Sequence, residues 1–267
     1  MAGSTILQEI IAHKGQEVAQ RQALRSLATL ESELPGVAQR RPFEAALAAR
    51  ISAGKPAVIA EIKKASPSRG LIRPDFDPEK LAENYAAAGA TCLSVLTDEK
   101  YFQGHDRYLR LARDACELPV LRKDFMIDPY QIVESRWLGA DCVLLIVAAL
   151  DKSQLAELYQ CAGEQRVDVL VEVHNREELD TALALGARLI GINNRDLHSF
   201  TTTLDVTYGL LPHIPENCLV ITESGIHSHD EVLAMQARGV FGYLIGETFM
   251  RAVDPGQKLR EVVFGRE

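Results

Sequence analysis

Seven short apolar segments of this chain end in side chains that could carry proton-transfer or anion-binding chemistry. The residues at these ends are, in chain order, Glu61 and Lys63, Thr97 and Asp98, 122–124, Glu172 and His174, 193–196, 222–225, and Gly246 with Glu247. Ammonium groups donate protons and carboxylates accept them, which is the pairing that general acid–base catalysis requires. One charged segment end is usually a solvent-exposed ion pair, whereas seven such ends predict one shared site.

Lys63 and Lys123 are the candidate proton donors or cationic groups. Lys123 lies in the segment 121–125, which is otherwise suited to burial. Removal from water lowers the pKa of a lysine, so we expect Lys123 to donate a proton near neutrality. Two alternatives stay open, namely a Schiff base, as in class I aldolases, and a structural ion pair with Glu61, Asp124 or Glu172.

Carboxylates in two other segments are candidate bases or ion-pair partners. Glu172 is the one acid in the apolar run 169–173, where an unpaired carboxylate is costly. It therefore acts either as a general base or as one half of a buried salt bridge. Glu61 and Lys63 are two residues apart, so in a strand they point to the same side. That pair is either part of a site or a surface ion pair.

The elements that would position these residues are eight strand-length apolar runs, most of them separated by an amphipathic helical segment. The runs are 57–62, 91–96, 119–122, 141–147, 168–173, 188–192, 218–222 and 240–245. Eight strands alternating with helices over roughly 210 residues are typical of an α/β fold, the (β/α)8 TIM barrel. A doubly wound open sheet is the alternative, but neither GxGxxG nor GxxxxGK[ST] follows any run.

In a barrel of this kind, the carboxyl ends of the strands meet at one rim, and catalytic residues lie there. Ser224 and Gly225 follow the seventh run, and Gly246 and Glu247 follow the eighth. Barrels bind phosphate at these two positions through backbone N–H groups and a short extra helix. The glycines could simply form tight turns, but their occurrence at both positions favours a phosphate site.

The first 54 residues contain no convincing strand and are predicted to be helical. Apolar residues recur at helical spacing in 4–29 and again in 43–51. Alone, this segment is too small to bury a core. We therefore expect residues 1–267 to form a single barrel domain, with 1–54 as an N-terminal helical extension packed on it.

Composition limits the possible partners. The chain has 267 residues, 47% of them apolar and 25% charged, with a net charge of −8. This acidic balance predicts no nucleic-acid binding, and the absence of an apolar run near 18 residues predicts no membrane span. Five scattered cysteines without a CxxC pair fit a reduced, cytoplasmic location. No histidine shows metal-ligand spacing with acids, so we predict no metal site.

The combined motifs resemble the indole-3-glycerol phosphate synthase family of tryptophan biosynthesis. The segments that carry the resemblance are 59–68 (IAEIKKASPS), 95–98 (VLTD), 101–104 (YFQG), 121–125 (LRKDF), 171–174 (VEVH), 191–197 (GINNRDL), 222–226 (TESGI) and 244–247 (LIGE). The likeness covers nearly the whole chain. It corresponds to the monofunctional form, without the fused isomerase barrel of some relatives.

The resemblance implies ring closure of 1-(2-carboxyphenylamino)-1-deoxyribulose 5-phosphate to indole-3-glycerol phosphate, with loss of CO2 and water. It implies no metal or organic cofactor, and a small phosphorylated substrate. Lys123 then matches the general acid and Glu172 the general base. Lys63 matches a residue that contacts the substrate carboxylate and phosphate. How the two lysines divide the acid roles stays open.

The remaining site residues follow from the same resemblance. Glu61 and Asn193 match a supporting network, and Glu223 and Ser224 match nearby polar contacts. The implied phosphate contacts are Lys63, Ser66, Arg195, Ser224, Gly225, Gly246 and Glu247. Candidates for the apolar wall around the anthranilate ring are Phe102, Leu121, Phe125, Leu145 and Leu197. The loop 66–70 is expected to close over the phosphate, and the chain is expected to be a monomer or a weak homo-oligomer.

Other function classes remain as alternatives. Another phosphate-binding barrel, such as phosphoribosylanthranilate isomerase, would be expected to place a cysteine at the first strand end and an aspartate at the sixth. The first strand end here carries Glu61 and Lys63 instead. A barrel used only for binding or assembly would not need two lysines and three acids at one rim.

Overall fold

The structure is a computed structural model that describes residues 5–196 and 199–265. Eight parallel strands in this part of the chain form a closed barrel, in which each strand pairs with the next and the eighth pairs with the first. The strands are Ala57–Ile62 (β1), Cys92–Leu96 (β2), Val120–Lys123 (β3), Cys142–Ile146 (β4), Asp168–Val173 (β5), Leu189–Asn193 (β6), Leu219–Glu223 (β7) and Gly242–Ile245 (β8). The predicted TIM barrel is confirmed.

Helices surround the barrel and extend it at the N-terminus. They are Ile6–Leu24 (α1), Leu27–Glu33 (α2), Phe43–Ser52 (α3), Pro78–Ala87 (α4), Glu99–Phe102 (α5), Asp106–Ala115 (α6), Pro129–Leu138 (α7), Lys152–Glu164 (α8), Arg176–Ala184 (α9), Asp205–Leu210 (α10), His229–Gln236 (α11), Glu247–Met250 (α12) and Pro255–Phe264 (α13). A two-stranded hairpin, Ala65–Ser66 with Gly70–Leu71, follows β1. No helix in the described ranges has the length and apolar character needed to cross a bilayer.

Residue parity decides which side chains face the inside of the barrel. Because strand side chains alternate between faces, Ile59, Leu121 and Leu144 pack together inside it. Their neighbours Val58 and Val143 pack outward against the helices. Each strand therefore has an outer apolar face for the helices and an inner face that ends in the rim residues.

The N-terminal extension differs from the single helix expected over 4–29. Helix α1 begins after Thr5, whose hydroxyl accepts a hydrogen bond from the N–H of Gln8; residue 4 lies outside the described part of the chain. The backbone is extended at Arg25, and Ser26 then caps a separate helix, α2, by accepting from the N–H of Thr29. A strong N-cap residue inside a helical pattern thus begins a new helix.

Helix α3 closes the end of the barrel opposite the carboxyl rim. Phe43 and Leu47 are fully buried and join the cluster inside the barrel. The buried carboxylate of Asp141 accepts a hydrogen bond from the N–H of Arg41 at 2.6 Å, and Asp168 accepts one from Glu44 at 2.9 Å. Helix α3 therefore closes this end of the barrel, and the pocket opens at the carboxyl rim.

Candidate active site

A pocket of about 180 Å³ opens at the carboxyl-terminal rim. The predicted site residues that line it are Glu61, Lys63, Ser66, Phe102, Lys123, Phe125, Glu172, Asn193, Arg195, Glu223, Ser224, Gly225, Gly246 and Glu247. These residues come from segments up to 186 positions apart, from Glu61 to Glu247, and the closed barrel brings them together.

Lys123 lies between two buried carboxylates at the floor of the pocket. Its Nζ is 3.0 Å from Oε2 of Glu172 and 2.8 Å from Oε2 of Glu223. Both carboxylates are nearly inaccessible to water, at 3% and 2% exposure. A second pair, Lys63 with Glu61, lies at the end of β1. Two ammonium groups and three carboxylates therefore share one small polar cluster.

The charges of this cluster shift one another's pKa values. Burial disfavours the Lys123 ammonium, but attraction by Glu172 and Glu223 outweighs it and raises the pKa of Lys123. The expectation of a lowered pKa is therefore wrong for this arrangement. Burial opposes the Glu172 carboxylate too, yet Lys123 and His174 hold the pKa of Glu172 below its usual range. For Glu223, burial prevails over the attraction of Lys123 and raises its pKa.

Asn193 connects Glu172 to the loop that follows β7 and to Arg195. Its Nδ2 lies 3.3 Å from Oε1 of Glu172, and its Oδ1 accepts from the hydroxyl of Ser224 at 3.0 Å. The N–H of Arg195 also donates to this Oδ1, at 3.1 Å. One side chain thus fixes the orientation of a carboxylate and of the loop that follows β7.

The other end of the pocket combines a tight turn, a helix start and two arginines. Ser224 and Gly225 both have positive φ, 62° and 90°, so the loop after β7 turns sharply at the pocket wall. Helix α12 begins just after Gly246, and helix starts present N–H groups to anions. The guanidinium groups of Arg195 and Arg69 approach Glu247 at 3.4 and 3.1 Å, which places positive charge beside these N–H groups.

The apolar wall is only partly the one predicted. Phe102 and Phe125 lie with ring centroids 6.1 Å apart at the pocket. Leu145 was predicted wrongly, because its parity on β4 turns it outward into the barrel–helix layer. Leu121 faces inward but is fully buried one layer below Lys123 and is not among the lining residues. Leu197 lies outside the described residues.

Leu144 and Ile146 take the place expected for Leu145, since they are the inward-facing residues of β4 and line the pocket. Helix α1 supplies a further wall through Ile6, Leu7 and Ile10. Sequence reasoning treated α1 as a cover on the barrel and did not predict these contacts.

Two glycines make room for the carboxylates. A methyl group on Gly191 would lie 2.2 Å from Oε1 of Glu223, and one on Gly246 would lie 2.1 Å from Oε2 of Glu61. Both distances are far inside van der Waals contact. Any larger residue at these positions would displace a rim carboxylate. A small inward-facing residue within a strand was the signal that could have identified Gly191.

Asn194 has a different role from its neighbour. It is 1% exposed and faces away from the pocket. Its amide donates to the carbonyl oxygens of Glu223 and Ser224 at 2.9 and 3.0 Å, and its Oδ1 accepts from the hydroxyl of Thr207 at 2.8 Å. Asn194 therefore holds the end of β7 in place from behind and does not contact the pocket.

Comparison with known proteins assigns the family. The family model for indole-3-glycerol phosphate synthase matches residues 7–262 of the chain. This protein belongs to that family. Indole-3-glycerol phosphate synthases from two strains of Acidithiobacillus ferrooxidans are 56% identical to it over 259 residues, which cover 97% of this chain and 98% of theirs.

Solved structures of more distant proteins share the fold. A 3-hexulose-6-phosphate synthase from Salmonella typhimurium superposes with a TM-score of 0.63 at 12% identity, covering 78% of this chain and 97% of that one. KGPDC from Streptococcus mutans gives 0.55, also at 12% identity, with 77% and 94% covered. Identities this low show the barrel alone. The indole-3-glycerol phosphate synthase assignment rests on the family model and the close relatives.

The described residues contain no group of three or more His, Cys, Asp or Glu side chains arranged to hold a metal ion. What the pocket does contain is a set of proton donors and acceptors beside an anion-binding end. Such a site can protonate an oxygen, remove a proton and anchor a phosphate within one substrate.

Proposed function

We propose that this protein is an indole-3-glycerol phosphate synthase. It converts 1-(2-carboxyphenylamino)-1-deoxyribulose 5-phosphate to indole-3-glycerol phosphate, CO2 and water. The observation that carries the proposal is the position of Lys123 between Glu172 and Glu223, in the pocket that also holds the anion-binding residues. Family membership of the chain supports the same reaction.

Lys123 protonates the ketose oxygen in the first step. The aromatic carbon that bears the carboxylate attacks the carbonyl carbon, and negative charge develops on the oxygen. An alkoxide is more basic than any lysine, so a Lys123 with a raised pKa still transfers its proton. Before the transfer, the carboxylates keep Lys123 charged and ready to stabilise that oxygen.

Loss of CO2 then restores the aromatic ring. The hydroxyl leaves as water after Lys63 donates a proton to it, which forms the indole, and solvent returns a proton to Lys63. Glu172 removes a proton in this dehydration, because its lowered pKa keeps it ionised and able to accept. Since Glu172 is 3.0 Å from Lys123, that proton can return directly to the lysine. Lys63 binds the substrate carboxylate and phosphate, and Glu61 and Asn193 hold the reacting groups in place.

Arg195, Ser66 and the loops at Ser224–Gly225 and Gly246–Glu247 bind the phosphate. For Glu247, the backbone N–H is the contact, because its carboxylate would repel a phosphate. Arg69, which pairs with Glu247 at 3.1 Å, links the loop after β1 to this end of the pocket. We propose that the loop closes on the bound phosphate and excludes water.

We further propose a reducing, cytoplasmic location, supported by five free cysteines, and a monomer or weak homo-oligomer without nucleic-acid partners. Residues 1–54 act as an extension of one barrel domain, which is supported by the contribution of α1 to the pocket wall.

The test is incubation of the purified protein with the carboxyphenylamino ketose phosphate, following indole fluorescence and CO2 release. We expect one CO2 for each indole formed. Absence of both products contradicts the proposal. Treatment with borohydride distinguishes the aldolase alternative, since a Schiff base on Lys123 would be trapped as a stable adduct. We expect no adduct, because a Schiff base requires a neutral amine and Lys123 is held charged.

A further inference from the structure

His174 lies between the proposed base and a carboxylate of the next helix. Its Nε2 is 3.4 Å from Oε1 of Glu172, and its Nδ1 is 3.0 Å from Oε2 of Glu178 on α9. The side chain is 11% exposed. His174 is not among the described residues that line the pocket, whereas Glu172 is.

Glu178 is held firmly in this position. It lies in the first turn of α9, where its Oε2 accepts from the N–H of His174 at 2.8 Å and its Oε1 accepts from the side chain of Asn175 at 2.6 Å. Asn175 in turn caps α9 by accepting from the N–H of Glu178. The carboxylate thus has a fixed orientation towards the imidazole.

Carboxylates on both sides of the ring select its protonated form. To donate to Glu178, the ring must carry a proton on Nδ1. A neutral ring with that tautomer would present the lone pair of Nε2 to the carboxylate of Glu172, which is repulsive. Only the imidazolium places an N–H towards each carboxylate.

We propose that His174 is a positioning residue, which as an imidazolium held by Glu178 keeps Glu172 oriented and ionised for its role as base. This inference rests on the proposed function. It explains how Glu172 stays anionic during the reaction. The positive charge of Lys123, 3.0 Å from Oε2 of Glu172, stabilises that carboxylate only while the lysine keeps its proton. After Lys123 donates that proton, His174 at 3.4 Å remains as the positive charge near Oε1, and Asn193 remains as a hydrogen-bond donor to it.

The surrounding charges agree with this assignment. Burial lowers the pKa of His174, but Glu178 on α9, Glu172 on β5 and Glu223 on β7 together raise it above the usual value. In the other direction, His174 helps Lys123 to lower the pKa of Glu172. This reciprocity is required of two coupled groups.

The first test measures the ring pKa directly and needs no substrate. The histidine rings are isotope-labelled and titrated by NMR, and the His174 signal is identified by its loss in His174→Asn. We expect Glu172→Gln and Glu178→Gln each to lower the ring pKa, by about one unit. Glu177→Gln removes an exposed acid from the same helix turn and should leave it unchanged. An unchanged ring pKa in Glu172→Gln overturns the contact.

The second test separates positioning from a merely structural role. In His174→Asn we expect kcat to fall about fivefold with KM within twofold of the wild type, since His174 does not line the pocket. The wild-type kcat should also decline as His174 loses its proton, and His174→Asn should lack this step. Equal kcat profiles, or a KM rise as large as the kcat loss, overturn the proposal. A wild type without turnover overturns the proposed function, and the titration still decides the contact on its own.

Discussion

Lys14 on helix α1 places its Nζ 2.8 Å from Oδ1 of Asp124, the residue next to Lys123. The same ammonium lies 3.0 Å from Asp98, which follows β2, and the lysine is only 1% exposed. A helix more than 80 residues away in the chain is thus fixed to the loops that follow β2 and β3, next to the proposed proton donor at the end of β3. The wall that α1 gives to the pocket depends on this buried ion pair.

Replacing Lys14 by methionine should therefore weaken both the fold and substrate binding. The change leaves Asp98 and Asp124 buried without their partner, which costs about 3–5 kcal/mol. Denaturant unfolding measures this loss. We also expect KM to rise more than kcat falls, because Ile6, Leu7 and Ile10 move with α1. The matched control is Lys80→Met, which removes a lysine 82% exposed in a pair with Asp77 and should change stability little. Equal effects in the two variants would contradict the role of Lys14.

Gly191→Ala should reduce turnover through Glu223. The added methyl group would lie 2.2 Å from Oε1 of Glu223, so the carboxylate must move away from Lys123. We expect kcat to fall at least tenfold with a smaller change in KM, measured in the steady state. In Gly163→Ala, the methyl group meets nothing within 4 Å on helix α8. That control should gain about 0.5–1 kcal/mol of stability and keep full activity. A wild-type kcat in Gly191→Ala would show that turnover does not depend on the position of the Glu223 carboxylate.

The contributions of Glu223 and Glu172 to stability should change with pH in different ranges. Burial, supported by repulsion from Glu172, raises the pKa of Glu223 to about 7. Its native pKa thus exceeds its unfolded pKa, so stability is present at low pH and is lost as pH rises through 7. We therefore expect Glu223→Gln to become more stable relative to the wild type between pH 5.5 and 8.5.

Glu172→Gln is the matched comparison. The pKa of Glu172 is lowered in the native state, so its contribution is present above its unfolded pKa and is lost only at more acidic pH. We expect Glu172→Gln to be destabilised by a similar amount at pH 5.5 and pH 8.5, as measured by denaturant unfolding. If both variants showed the same pH slope, the assignment of the raised pKa to Glu223 would be wrong.

Arg195→Met should weaken phosphate binding more than chemistry. Arg195 lies in the pocket wall beside Glu247 and Ser68, at the end opposite Lys123. Loss of one charge-assisted hydrogen bond costs about 1.5–3 kcal/mol, so we expect KM to rise tenfold or more with kcat little changed. Inhibition by inorganic phosphate should weaken in parallel. Arg176→Met, which removes an exposed arginine paired with Asp180, is the control. A kcat loss without a KM change would place Arg195 in the chemistry instead.

The barrel and most of the rim could be predicted because both follow from local patterns. Runs of apolar residues fix the strands, and the carboxyl ends of parallel strands meet by topology. Leu145 could have been assigned to the outer face from the sequence. Side chains alternate along each strand, and the alternation that turns Glu172 and Asn193 inward turns Leu145 outward. Strand β4 itself ends in apolar residues, so no polar side chain at its end indicates which of its residues face inward.

Other features depend on contacts that no local pattern encodes. The sequence predicts Lys14 to be an ordinary polar residue of an amphipathic helix. Only the tertiary structure places it among buried carboxylates. Burial alone predicts a lowered pKa for Lys123, and the sequence indicates an ion pair with Glu61, Asp124 or Glu172 only as an alternative. Two carboxylates within 3.0 Å reverse the direction. Burial can be inferred from sequence, whereas the number of nearby opposite charges cannot.

Turnover of Lys123→Ala with the carboxyphenylamino ketose phosphate tests the central claim most directly. The variant is first shown to be folded by circular dichroism, and its affinity for the substrate is measured by calorimetry. We predict affinity within a few-fold of the wild type and a loss of indole formation of about 10²–10⁴-fold, the contribution of a general acid. Turnover near the wild-type rate in a folded, substrate-binding Lys123→Ala would contradict the assignment of Lys123 as the proton donor.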